Sequence, residues 1–78
     1  MTNESTLDRL KPGERGSVRA ILGPPMLAQR LMEMGITEGE EVEVVRLAPL
    51  GDPIEIRIRG YELSIRKSDA RNVALNLP

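Results

Sequence analysis

The run from Ile54 to Ile65 constrains this chain more than any other stretch. Ile54, Ile56 and Ile58 alternate with Glu55 and Arg57, and after Arg59-Gly60 the residues Tyr61, Leu63 and Ile65 alternate with Glu62 and Ser64. A period of two is the mark of a half-buried strand. A two-residue turn at Arg59-Gly60 pairs Ile58 with Tyr61, Ile56 with Leu63 and Ile54 with Ile65, all on one face. Arg57 then faces Glu62 on the other. A slip of one residue would set apolar against polar along the whole ladder, so this register is specified. Arginine is a poor residue for a primed turn, and the turn type stays open.

The remaining chain supplies partners for that hairpin. Gly16 to Leu22 reads as a first strand, broken by Gly23-Pro24-Pro25. Leu27, Leu31 and Met34 then follow at helical spacing. Pro24 and Pro25 suit the helix start, and Gly35 suits a left-handed cap at its end. Glu41 to Leu47 is a second strand. Lys67 to Ala70 makes one helical or 3₁₀ turn, with Ser68 as its cap. "NVALNL" closes the chain as a fifth strand with Val73, Leu75 and Leu77 inward. Leu7 and Leu10 form a short turn tucked against the domain, and residues 1–6 are polar and expected to fray. The expected architecture is mainly β: a small, partly closed antiparallel barrel of about five strands, with one short helix between the first two. Closure covers edges that a lone sheet would expose. Residues 7–78 form a single domain.

Composition excludes most chemistry. At 78 residues the core is thin. The chain has no histidine and no cysteine, so the commonest neutral-pH acid–base group, the thiolate and the disulfide are all missing. No Ser-His, Cys-His or lysine-based constellation is present, and "GPP" and "GDP" lack the spacing of a phosphate loop. The expectation is a non-enzyme without cofactor or metal. Glu38, Glu40, Glu41 and Glu43 read as a solvated acidic turn rather than an ion site. Arg57, Arg59, Arg66, Lys67 and Arg71 could line up as a basic stripe. Glu55 and Glu62 interrupt it, no aromatic is available for stacking, and the net charge is −1, so no nucleic acid is expected. Short apolar runs and an N-terminus without signal-peptide character point to a cytoplasmic protein.

The apolar residues outside the core pattern carry more information. Leu50 occupies the tip of the turn Ala48-Pro49-Leu50-Gly51-Asp52-Pro53. Met26 falls among the polar residues of the helix, and Met32 flanks its apolar stripe. Methionine adapts its shape to a partner as readily as to a core gap. Pro24, Met26, Met32 and Leu50, with Arg57 and Arg59 pointing outward from the hairpin, form the candidate partner-binding set. An open strand edge or the same patch would also support weak self-association.

The order "G-x-V", "RLMEMGITEG", "EVEVVRLAPLGDPIEI" and "YELSIRKSDA" resembles the FeoA family, ferrous iron transport protein A, from about Leu10 to Leu77. The resemblance implies a small cytoplasmic SH3-like barrel. It also implies support of FeoB, a membrane ferrous iron transporter with a cytoplasmic G-protein domain, by docking on its cytoplasmic part to assist assembly or regulation. Proline-rich peptide binding, the usual activity of such barrels, needs an aromatic-lined groove that Tyr61 alone cannot build. Arg30, Arg57 or Arg59 could offer a guanidinium to a phosphate of the G-protein domain. The resemblance extends to the C-terminal SH3-like domain of iron-dependent repressors. The alternative reading is therefore a stand-alone regulatory module for a metal or peptide.

Overall fold

A computed structural model describes residues 3–78. Its centre is the hairpin of β4 (Ile54–Ile58) and β5 (Tyr61–Ile65), in the register expected from the alternation, with Ile58 opposite Tyr61, Ile56 opposite Leu63, and Arg57 opposite Glu62. Arg59 and Gly60 both have positive φ, 54° and 85°. That is the combination a type I′ turn requires, so the hairpin imposes a left-handed conformation on an arginine. Ile54, Ile56, Ile58 and Ile65 are buried and Leu63 half-buried. Tyr61 departs from the inward expectation. It is 48% exposed, because the strand's first residue leaves the core and reaches over the end of the helix instead.

Strands β2 (Arg15–Ile21), β3 (Glu41–Leu47) and β6 (Val73–Asn76) extend the sheet. All pairs are antiparallel, in the order β1-β6-β2-β3-β4-β5. The register shifts between Val18 and Ala20 in β2 and between Val44 and Arg46 in β3. Bulges of this kind bend a strand and increase its twist, which curls the sheet toward a barrel that remains open between β1 and β5.

A sixth strand, β1 (Glu4–Thr6), adds to the about five expected and forms within the segment expected to fray. Residues 1 and 2 lie outside the described residues. Glu4, Ser5 and Thr6 pair with Asn76, Leu75 and Ala74, and the Leu77 amide donates to the Asn3 carbonyl at 2.8 Å. The reason is tertiary. β6 is buried along Val73, Ala74 and Leu75, and without β1 its backbone edge would lack partners. A 3₁₀ turn at Leu7–Arg9 follows and sends Leu7 and Leu10 into the core.

The helix α1 (Pro25–Glu33) lies between β2 and β3 as expected. Leu31 is fully buried, with Leu27 and Met34 packed against the core. Its end is a Schellman motif. The Ile36 amide donates to the Leu31 carbonyl and the Gly35 amide to the Met32 carbonyl, both at 3.0 Å, with Gly35 at φ 98°. The short helix α2 (Lys67–Ala70) follows β5 and turns Ala70 into the core. Ser68 does not cap it. Arg66 occupies the cap position, and the Lys67 amide donates to Asp52 Oδ1 at 2.9 Å. A carboxylate from the β3–β4 loop thus supplies the acceptor that α2's own sequence lacks.

Candidate docking surface

The four apolar side chains of the candidate set stay outside the core that this fold builds, as do Leu22 and Leu47. Leu50 is 96% exposed, Met26 83% and Met32 53%, and Pro24 is exposed at the N-cap of α1. Each position has a local cause. The core face of α1 is filled by Leu27, Leu31 and Met34, so Met26 and Met32 point elsewhere. Leu50 sits in a tight turn, closed by the Gly51 amide donating to the Ala48 carbonyl at 2.7 Å, and its side chain has nothing to fold back on.

Met32 lines a shallow apolar groove of about 530 Å³ on the outer side of α1, with Pro25, Ala28, Gln29, Glu33 and Thr37. Pro25, Ala28 and Met32 are spaced i, i+3, i+7, a second and weaker stripe on the same helix. A pattern built on large apolar residues does not show this stripe, since proline and alanine do not register as apolar anchors. Met26 sits one residue around the helix from Pro25, outside the groove. Leu50 belongs to the loop that Asp52 ties to α2 through the Lys67 amide, and α2 is bridged to α1 by Arg30 and Asp69 at 3.4 Å.

The arginines of the candidate set are engaged. Arg57 lies between Glu62 at 3.1 Å and Glu43 at 3.6 Å, and Arg59 is 3.7 Å from Glu40. Arg46 bridges Glu55 and Glu62, and its guanidinium is held above the usual range by the hydrogen bond to Glu55 and by that group's charge. The outer face of β3, β4 and β5 is therefore a ladder of opposite charges set by cross-strand register. Arg30, like Arg57 and Arg59, has a carboxylate neighbour. Among the described residues, no group of three or more potential ligand side chains is placed to hold a metal ion, and Glu40 and Glu43 of the acidic turn face arginines. Among the described residues, no helix is long and apolar enough to cross a membrane.

Comparison with known proteins agrees with this architecture. A solution structure of a FeoA-like protein from Clostridium acetobutylicum superposes with a TM-score of 0.90 at 35% identity, covering 99% of this chain and 90% of that one. A Stenotrophomonas maltophilia FeoA, crystallised with zinc and described as an SH3 domain protein that possibly acts as a ferrous iron transport activating factor, matches at a TM-score of 0.75 and 29% identity, over 88% of this chain and 86% of that one. A Porphyromonas gingivalis protein that fuses Fe(2+) transport protein A to the Fe(2+) transporter FeoB is 34% identical over 71 residues, 91% of this chain. The chain spans only 8% of that relative's length. The family model for the FeoA domain matches residues 5–76, nearly the whole chain, and with the SH3-like fold and these relatives it places the chain in the FeoA domain family.

Proposed function

We propose that this chain is a non-enzymatic accessory of ferrous iron uptake that docks on the cytoplasmic part of a FeoB-type transporter and assists its assembly or regulation. The observation that carries this reading is the relative in which a FeoA segment and the transporter share one polypeptide. Fusion holds two modules at high effective concentration, which favours a contact between them. The surface supports the same reading. Met26, Met32 and Leu50 are exposed apolar side chains that the fold does not use, and Met32 shares a groove with Pro25 and Ala28. Pro24 and Met26 extend that contact along the start of α1.

Titration of the purified chain against the soluble cytoplasmic part of its transporter, in chelator and with or without guanine nucleotide, tests the proposal. Saturable binding without metal is expected. Failure to bind both the soluble part and the intact transporter would overturn it.

A further inference from the structure

The cations of this chain differ in their neighbours, and Arg9, Lys11 and Arg15 near the start of the described chain form no ion pair among the described residues. On the sheet, Arg46, Arg57 and Arg59 all meet carboxylates. Around α2 the balance differs: Arg66, Lys67 and Arg71 form no ion pair among the described residues. The two nearby carboxylates are committed elsewhere, Asp69 to Arg30 at 3.4 Å and Asp52 to the Lys67 amide at 2.9 Å. The helix turns Ala70 into the core, and Lys67 and Arg71, four residues apart, share one side of it. Arg66 lines a polar concavity of about 400 Å³ with Arg30, Ser68 and Asp69. Leu50 is exposed at the tip of the loop that Asp52, two residues on, ties to the start of α2.

We propose that the α2 surface receives an acidic polypeptide segment, with its carboxylates on Arg66 and Lys67, Arg71 at the flank, and an apolar residue of the segment against Leu50. The proposal rests on the docking function above for the identity of the partner. Charge complementarity selects the occupant. Four cations face two carboxylates here, while the chain as a whole carries −1, so the positive excess is local. An arginine fork takes a carboxylate in two parallel hydrogen bonds. A concave site suits separate carboxylates on an extended chain better than the flat, dense phosphates of a bilayer.

Two arms test this. First, decaglutamate is titrated into the isotopically labelled chain and followed by amide and arginine side-chain shifts. Saturable shifts at residues 66–71 are expected, weakened about tenfold by R66E/K67E and by raising salt from about 50 to 200 mM. Shifts centred on Arg57 and Arg59, no shifts, or a response only to phosphatidylglycerol vesicles would overturn the proposal. Second, the cytoplasmic part of the transporter is titrated with wild type, R66E/K67E and R71E, each first shown to be folded by its spectrum. An about tenfold loss in R66E/K67E supports the proposal. Unchanged affinity in both variants overturns it while transporter docking stands. Decaglutamate binding by a wild-type chain that ignores the transporter sinks the docking function and keeps the acidic-segment site.

Discussion

The Tyr61 hydroxyl donates a hydrogen bond to the Met34 carbonyl at 3.1 Å, tying the first residue of β5 to the C-cap of α1. Helix ends leave carbonyls without intrahelical partners, and here a side chain from the sheet meets one of them. The approach is close enough that a Cβ on Gly35 would lie 2.5 Å from that hydroxyl. Gly35 therefore answers to two demands, a φ of 98° and the passage of a tyrosine.

Gly35→Ala is expected to destabilise the domain by about 2–3 kcal/mol. The left-handed backbone contributes about 1–2 of this, and displacement of Tyr61 the rest. For a domain of this size that lowers Tm by roughly 8–20 °C. In a Tyr61→Phe background the same substitution costs less, since the atom in the way is gone. Urea denaturation of the four proteins of this cycle measures the coupling, and strictly additive losses would mean that the approach carries no energy.

Asp52→Ala removes the acceptor for the Lys67 amide and is expected to cost about 1 kcal/mol, the usual loss for a helix cap. Ser68→Ala, the change that local sequence rules would mark as the damaging one, should lie within about 0.5 kcal/mol of wild type. The reverse order in chemical denaturation would mean that Ser68 is the cap in solution.

Met26→Asp and Leu50→Asp alter side chains that the fold leaves in water, so each should change stability by no more than about 0.5 kcal/mol. Binding to the transporter's cytoplasmic part should weaken by at least about 1 kcal/mol for the double variant, as expected when interface anchors are lost. Intact affinity in a well-folded double variant would remove both residues from the contact.

Arg57→Gln and Arg59→Gln each release exposed ion pairs. Such pairs contribute about 0–1 kcal/mol, so the loss of stability should be small. Because these guanidiniums already face Glu43, Glu62 and Glu40, transporter affinity and GTP hydrolysis should also stay at wild-type values. A variant that binds normally but no longer alters the GTPase rate would identify that arginine as a contributor to the G-protein site.

Ile36→Ala should cost about 2–5 kcal/mol by opening a cavity in the core, enough to unfold much of a domain this small at 37 °C. Met32→Ala, on the groove side of α1, should cost far less, because half of its side chain is already in water. Thermal unfolding of the pair distinguishes packing from surface.

The sequence by itself determined the parts that depend on periodicity and local backbone chemistry. The β4–β5 register follows from the alternation of Ile54 to Ile65, since any other register would put isoleucines in water. The core face and the Gly35 cap of α1 follow from helical spacing and from the steric freedom of glycine at positive φ. Family membership was legible from the strings shared with FeoA proteins. Tertiary structure alone decided what depends on distant partners. Glu4–Thr6 is a strand because β6 offers it an edge, not because three polar residues favour one. Asp52 caps α2 from fifteen residues away, and Tyr61 turns outward to reach Met34. Charges that look alike in sequence were separated in the same way. Arg57 and Arg59 lie against carboxylates brought by neighbouring segments, while Arg66, Lys67 and Arg71 on α2 do not, and neighbours across the sheet are a property of the fold rather than of spacing along the chain.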